Sequence, residues 1–353
     1  MKPEDLRAAV AAGIVTEAQA ASLKTLIEAR AGQRAAMPAE DEPFEFFRGF
    51  SEIFISIGLV ILLSGVVGLL TWFGGFTILV AVPLICAAVA FWWAHYFTLK
   101  RRMTLPSMVL ASAYGAGLLI FAITLMGRTG MDERTAATLS FALPAAGMVL
   151  WYRRFKLPFA AFLTGLFVLG LVYAITASTA RLGDLFMGMN GLDGLFDLRE
   201  SPVFATATLI FGIGAFLAGM WFDLRDPHRL GRYAATAFWC HMLAAPALVN
   251  TVAMTILSGR DGGGGLVALS VALLIIALLA LVIDRRSFLT AAIAYIALVI
   301  SAVVGEGDGS QWIAILLILG ALITGLGTWW VQLRAGLMRA LPAFPGKGRL
   351  PPW

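Results

Sequence analysis

The chain has 353 residues, of which 60% are hydrophobic and 13% are charged, and its mean hydropathy is +0.86. An average soluble domain carries about a quarter charged residues, so this composition is typical of an integral membrane protein and argues against a large soluble catalytic domain. The 26 basic residues lie in short clusters between apolar segments, which argues against a nucleic-acid partner. Cys86 and Cys240 both fall in apolar segments, so the sequence offers neither a disulfide framework nor a C-x-x-C site.

Residues 1–32 are predicted to form a small cytoplasmic helical hairpin. Gly13 suits the left-handed residue that ends a helix, and Thr16 with Gln19 forms a T-x-x-Q capping box that starts the next one. The apolar stripe of the second helix is narrow, and two short helices of this kind need a partner to be stable. That partner is either the membrane domain of the same chain or a second protein.

Ten apolar segments, each long enough to cross a bilayer, follow a linker and interfacial segment at residues 33–50. They lie near residues 53–73, 76–98, 105–126, 135–152, 157–176, 203–222, 233–257, 266–283, 288–304 and 311–333. The predicted fold class is therefore all-α, a polytopic inner-membrane bundle of about ten transmembrane helices after the cytoplasmic hairpin. Residues 51–333 form the transmembrane domain in this prediction, and residues 334–353 form a cytoplasmic tail.

The basic clusters predict the orientation of these segments. If the N-terminus is cytoplasmic, most Lys and Arg residues fall in the inner connections, as the positive-inside rule requires. We therefore expect both termini in the cytoplasm of a bacterial inner (plasma) membrane, with the first segment kept as an anchor rather than cleaved as a signal peptide. Tryptophans near segment ends, among them Trp151 and Trp330, are expected at the headgroup level.

The residues from Gly13 to Gln19 and from Phe47 to Phe54, followed by many apolar segments, resemble an uncharacterised family of bacterial membrane proteins. Members of that family carry a small N-terminal helical domain ahead of eight to ten spans. The resemblance implies this architecture for most of the chain. It implies no catalytic residues.

The seventh segment carries the candidate ligand-binding residues Trp239, His241, Pro246 and Asn250. Pro246 cannot donate a hydrogen bond to the carbonyl four residues earlier, so a kink is expected there. His241 and Asn250 are half a rotation out of phase on a straight helix, and only a break at Pro246 would let both line one cavity. Two interpretations stay open: a discontinuous helix that faces a ligand, and a packed kink whose polar groups bond to neighbouring backbone.

The predicted outer loop at residues 177–202 is amphipathic rather than merely polar, and it adds Phe186 and Met189 to the candidate ligand-binding residues. Such a loop is either a lid or docking surface, or a helix lying on the outer leaflet.

The sequence contains no motif that predicts catalysis or metal binding. Acidic and basic residues are predicted only between segments, no nucleophile–base set is present, and two lone histidines do not make a haem site, so we predict no catalytic residue, no metal site and no cofactor. The Leu-Pro pairs at 105–106 and 157–158 suggest hairpin repeats, which are common in transporters.

The favoured function is a carrier or lipid-handling protein with membrane lipids as partners. The alternative is a non-catalytic scaffold, favoured by close-contact pairs such as Ala113 with Gly117 and by a protein partner for the hairpin.

Overall fold

The computed structural model describes residues 9–16, 19–20, 23, 50–78, 80–176, 196–226, 232–259, 263–304, 311–343, 347 and 350. All regular elements in these ranges are helical. We number them α1 (Phe50–Ile78), α2 (Ala81–Ala94), which continues as a π-helix (His95–Lys100), α3 (Thr104–Met126), α4 (Glu133–Phe155), α5 (Pro158–Thr176), α6 (Pro202–Asp223), α7 (Arg232–Ser258), α8 (Gly263–Ile283), α9 (Ser287–Val304), α10 (Gln311–Thr328) and α11 (Trp330–Ala340).

The chain divides into two units, Met1–Pro43 and Phe44–Trp353, and only short stretches of the first belong to the described residues. Gly13 has a φ of +68° and its N–H donates to the carbonyl of Val10 at 3.0 Å. The N–H of Thr16 donates to Gln19 Oε1 at 3.0 Å, and the N–H of Gln19 donates to Thr16 Oγ1 at 3.3 Å. The left-handed glycine and the capping box are therefore confirmed, whereas the rest of the predicted hairpin lies outside the described residues.

Helices α1 to α8 are each long and apolar enough to cross a membrane, and α10 with α11 forms a bent pair that would make a ninth span. Within the described ranges, the chain is thus an all-helical protein with many apolar, span-length helices. The bounds of the observed helices lie close to those of the ten predicted segments, because the helices end where turns with charged residues interrupt the apolar sequence. By length and composition alone, however, the described part supports eight or nine spans rather than ten.

The tenth predicted segment is not one straight helix. Residues Leu316–Thr328 and Trp330–Ala340 differ in direction by 69°, with the break at Trp329. Residues 334–340, predicted as the start of a tail, belong to α11, which packs against α8. Arg334 is buried at this contact and donates from Nε to the carbonyl of Leu281 at 3.1 Å.

Two hydrophobic cores organise the helices. Helices α1 to α5, the N-terminal half, share a core that is rich in alanine and aromatic residues, with Met148, Trp151 and Phe155 fully buried at its centre. Helices α6 to α11, the C-terminal half, surround a second core that includes Val249 and Leu269. Helix α5 joins the halves, since it packs against both α6 and α7.

Two tryptophans near the ends of predicted segments are buried in the cores. Trp151 packs among Phe91, Tyr114 and Phe155 in the core of the N-terminal half, and Trp330 is buried in the core of the C-terminal half. Both indoles are thus packed between helices, because position near a segment end does not say which face of the helix an indole occupies. Their expected place at the headgroup level stays a prediction.

Three connections turn through a non-glycine residue with positive φ, namely Arg102 (50°), Lys156 (52°) and Asp284 (57°). L-residues adopt this conformation at a cost of about 1 kcal/mol. After Asp284, the N–H of Arg285 reaches back to the carbonyl of Ala280 at 2.9 Å, which ends α8 in a Schellman motif. The motif fixes the direction in which the side chain of Arg285 leaves the helix.

Candidate functional site

A buried ion network joins three helices of the C-terminal half. His241 Nε2 on α7 lies 3.0 Å from Asp223 Oδ2 at the end of α6. Arg285, after α8, donates from Nε to the same oxygen at 3.0 Å and from Nη2 to Asp223 Oδ1. Asp223, His241 and Arg285 are 4%, 0% and 6% exposed. Both carboxylate oxygens are thus satisfied, which a buried charge requires.

Helix α6 is shaped to receive the imidazole. Gly219 lies one turn before Asp223, and a Cβ at Gly219 would lie 2.7 Å from His241 Cε1 and 2.8 Å from Nε2. Glycine therefore opens the space that His241 fills. The ring also packs against Phe216 and Phe288, whose ring centroids lie 5.5 and 5.9 Å away.

The network balances charge when the histidine is neutral. A carboxylate only accepts hydrogen bonds, so the proton shared with Asp223 belongs to His241 Nε2. The negative carboxylate is then matched by the guanidinium of Arg285, which also donates from Nη2 to the carbonyl of Ala234 at 3.2 Å. A protonated His241 would add one positive charge to a buried site.

A second polar contact adjoins this network through the turn between α8 and α9. Trp330 Nε1 donates to Asp284 Oδ1 at 2.6 Å, and Arg334 Nε lies 3.9 Å from the same oxygen. The guanidinium of Arg286 lies 5.2 Å from the ring centroid of Trp330. Asp284 and Arg286 therefore both contact Trp330, while Arg285 between them binds Asp223, and the turn ties α8 and α9 to α6, α7 and α11.

An open apolar groove of about 540 Å³ runs between α5, α6 and α7. This volume lies within the range of small-molecule and cofactor sites. Its lining is almost entirely aliphatic, aromatic or glycine, and the hydroxyl of Thr164 donates to the carbonyl of Ala160 at 2.7 Å. The lining residues are Ala161, Thr164, Gly165, Val168, Val172, Ala207, Ile210, Phe211, Gly214, Ala215, Ala218, Cys240 and Leu243.

The groove and the ion network lie on different faces of the same helix pair. Ala218 and Cys240 line the groove, while their chain neighbours Gly219 and His241 meet at the network. Gly214 lines the groove with nothing within 4 Å of its would-be Cβ, so its missing side chain contributes open space. The network therefore fixes α6 against α7 behind one end of the groove.

The predicted residues of the seventh segment do not share one surface. Helix α7 is continuous through Pro246, which is exposed, whereas His241 is buried in the ion network and Asn250 is half-buried. Trp239 packs against Phe159 and Phe162 of α5, with ring centroids 4.9 and 5.2 Å away. The structure brings none of these four side chains together at a common cavity.

The predicted loop residues Phe186 and Met189 lie outside the described residues. The described end of that loop packs inward: the N–H of Leu198 donates to Thr255 Oγ1 at 3.1 Å, and Phe196 packs beside Phe204 and Tyr173. This segment therefore rests on α5, α6 and α7, the three helices that form the groove.

The sequence did not lead us to predict Asp223 and Arg285 as site residues, because charged residues at these positions were used only to mark the boundaries between apolar segments. The structure places Asp223 as the last residue of α6, one position beyond the end of the predicted segment, so the carboxylate lies at a helix end and not in the middle of a span-length helix. One pattern could have found it: Gly219 and Asp223 share a helix face, and the opposing segment carries a lone histidine.

Among the described residues, no group of three or more His, Cys, Asp and Glu is placed to hold a metal ion. The chain matches no family model, no curated protein and no solved structure. The case for a function therefore depends on the groove and the ion network themselves.

Proposed function

We propose that the protein is a carrier or lipid-handling membrane protein that binds an apolar or amphiphilic molecule in the groove between α5, α6 and α7. The groove itself is the observation that carries the proposal. Its walls come from three span-length helices, it is open on one side, and its lining offers contact area but almost no hydrogen-bonding capacity. Such a surface suits hydrocarbon and disfavours an ion or a sugar.

The ion network gives this groove one rigid end. Asp223, His241 and Arg285 hold α6, α7 and the α8–α9 turn together, so a change in the separation of α5 from α6 is easiest away from that end. A buried charge network of this kind is costly unless every partner stays in place. We infer that the network keeps the α6–α7 pair fixed while the ligand enters beside α5.

We further propose the topology that the basic clusters favour: ten spans, both termini in the cytoplasm, and a bacterial inner membrane, in line with the resemblance of residues 13–19 and 47–54 to a multi-span bacterial family. In this topology α9 and the bent pair α10–α11 complete the set of ten. A reporter that is active only outside the cytoplasm should be silent when fused after Trp353 and active when inserted near Met189. The opposite pattern would contradict this topology.

The groove is tested by filling it. Gly214→Leu adds a side chain where nothing lies within 4 Å, so the helix should tolerate the change while the groove loses volume. Gly320→Leu is the matched control, since Gly320 on α10 also has nothing within 4 Å and does not line the groove. Native mass spectrometry of the purified proteins should show less co-purified lipid or amphiphile on Gly214→Leu only. Equal retention by both variants and the wild type would overturn the proposal.

A scaffold or accessory subunit is the second candidate, and the division of the chain into the units Met1–Pro43 and Phe44–Trp353 favours it. A separate N-terminal unit suits docking to a protein partner through residues 1–32. The close-contact pair at Ala113 and Gly117 does not add to this candidate, because a Cβ at Gly117 would lie 2.6 Å from the carbonyl oxygen of Pro83 in α2 of the same chain. Deleting residues 1–40 should leave the remainder inserted and stable in detergent; loss of insertion would contradict a docking role.

A further inference from the structure

A second cavity, of about 550 Å³, lies in the N-terminal half between α1 and the π-helical end of α2. Its apolar part comes from Leu59 and Leu62 on α1 and from Trp92 and Trp93 on α2. Its polar end comes from His95, Tyr96 and Lys100 of the π-helix. The cavity is therefore amphipathic along its length, unlike the uniformly apolar groove of the C-terminal half.

The π-helix is what brings the polar groups to one face. On an α-helix, residues five positions apart point about 140° away from each other. In this segment the N–H of Arg101 bonds to the carbonyl five residues earlier, that of Tyr96, at 2.9 Å. His95 and Lys100 are five residues apart and thus one π-turn apart, and both line the cavity. Single π-turns of this kind recur at functional sites.

The polar end carries an excess of positive charge. Lys100 is exposed, and the neighbouring Arg101 is oriented by Tyr96: its Nε donates to the Tyr96 hydroxyl at 3.0 Å, and its guanidinium lies 5.6 Å from the ring centroid. His95 Nδ1 donates to the carbonyl of Phe91 at 3.0 Å, which leaves Nε2 as the nitrogen that can bond to another molecule. Lys100 and the imidazole of His95 thus line the polar end of the cavity, and Arg101, held by Tyr96, follows Lys100 in the chain.

We propose that this cavity binds an anionic phospholipid, with the phosphate against Lys100 and Arg101 and an acyl chain along Trp92, Trp93 and Leu62. The charge complementarity selects an anionic headgroup, and the aromatic and aliphatic walls require attached hydrocarbon. Basic pockets between transmembrane helices are the expected sites for such lipids, and indoles favour the headgroup level. The site lies in the other half of the molecule, so it stands apart from the groove and from the function proposed there.

The test uses full-length protein in zwitterionic micelles, titrated with brominated phosphatidylglycerol or brominated phosphatidylcholine while tryptophan fluorescence is recorded. The wild type should be quenched by phosphatidylglycerol at a concentration roughly tenfold lower, given two cations near the headgroup. Lys100→Gln with Arg101→Gln should abolish this preference. The double variant Arg153→Gln with Arg154→Gln removes the same charge from exposed positions elsewhere and should keep it.

Two further arms locate the lipid and identify its source. Trp92→Phe with Trp93→Phe should remove most of the phosphatidylglycerol-specific quenching, and glycerol phosphate without acyl chains should fail to compete. Three results would each overturn the proposal. The first is equal quenching of the wild type by the two lipids, and the second is an equal loss of the phosphatidylglycerol preference in the Lys100/Arg101 and Arg153/Arg154 double variants. The third is full quenching in the variant without Trp92 and Trp93. Competition by glycerol phosphate would overturn it as well, because it would indicate a site for a soluble anion.

Discussion

Both halves of the molecule bury a carboxylate and place a histidine among phenylalanines, yet they satisfy these groups differently. In the N-terminal half, Glu52 is 3% exposed and accepts from the N–H groups of Thr104 and Leu105, both at 3.2 Å. His95 donates to a carbonyl of its own helix. In the C-terminal half, the carboxylate of Asp223 binds both His241 and Arg285.

The difference determines what each group holds together. A carboxylate at the start of a helix meets unpaired N–H groups that the main chain supplies whatever the sequence. A carboxylate that meets a guanidinium and an imidazole depends on two other side chains, from two other elements. The N-terminal half therefore uses Glu52 of α1 to bind main-chain N–H groups at the start of α3, whereas the C-terminal half uses side chains from three elements to hold several helices in one arrangement.

The largest expected effect comes from neutralising each carboxylate. Asp223→Asn leaves the guanidinium of Arg285 buried without its counter-charge, so the free energy of unfolding should fall by about 3–5 kcal/mol. Glu52→Gln keeps an oxygen that accepts from the N-terminus of α3 and loses only the charge–dipole attraction, about 0.3–2 kcal/mol. Unfolding titrations in mixed micelles would measure both.

A double variant separates the network from simple loss of packing. Asp223→Asn with Arg285→Gln should cost clearly less than the sum of the two single changes, because neither charge is then left alone. Equal effects of Asp223→Asn and Glu52→Gln, or strict additivity in the double variant, would show that the two halves do not differ in this way.

Glycines on α6 sharpen the comparison between the network face and the groove face. Gly219→Ala places a methyl group against the ring of His241, which Phe216 and Phe288 confine, so we expect a loss of about 1–3 kcal/mol. Gly214→Ala enters open space and should gain about 0.5–1 kcal/mol from helix propensity. In a His241→Ala background, Gly219→Ala should lose its penalty. A penalty that persists there would place the clash elsewhere.

Smaller changes in the free energy of unfolding are expected at the turn residues with positive φ, of which one in each half is compared. Lys156→Gly relieves a positive φ between α4 and α5 and should raise the free energy of unfolding by up to about 1 kcal/mol. Asp284→Gly relieves the same strain but removes the acceptor of Trp330 and the partner of Arg334, so the net result should be a loss of about 1–3 kcal/mol. A gain from both changes would contradict the assigned role of Asp284.

The smallest effect concerns Asp132, an exposed residue that caps α4. The N–H of Thr135 donates to its carboxylate at 3.0 Å, and this bond, with the Thr135 hydroxyl, holds the pKa of Asp132 below its usual value of 3.8. The capping contribution is therefore complete at pH above the usual value and is lost as pH falls through the lowered pKa. The difference in unfolding temperature between wild type and Asp132→Asn should shrink in that acidic range; a difference that grows there would contradict the assignment.

The sequence predicted the helices well, and local physics explains why. Charged turns, apolar runs, the left-handed Gly13 and the Thr16–Gln19 capping box are all properties of neighbours along the chain. The hydropathy pattern predicted many apolar helices, and the observed bounds lie close to the predicted ones. The bend at Trp329 has no such local mark, since no proline or glycine occupies that position.

The sites were not predictable in the same way, because they depend on contacts between distant residues. His241 was singled out, but its partners Asp223 and Arg285 lie 18 and 44 positions away and resemble ordinary inner-turn charges. The groove arises where small residues of α5 and α6 face each other, and glycine and alanine are common throughout the chain. The π-helix likewise depends on a backbone choice that composition does not reveal.

Photo-crosslinking with a diazirine-bearing fatty acid, followed by peptide mapping, would show whether the groove between α5, α6 and α7 holds an apolar chain. Adducts should be concentrated on the groove-lining residues of α5 and α6, lost in Gly214→Leu and retained in Gly320→Leu. Adducts spread over all exposed helices, including α1 with its outward-facing Ile61 and Leu69, and unchanged in Gly214→Leu, would contradict the proposal that the groove binds an apolar molecule.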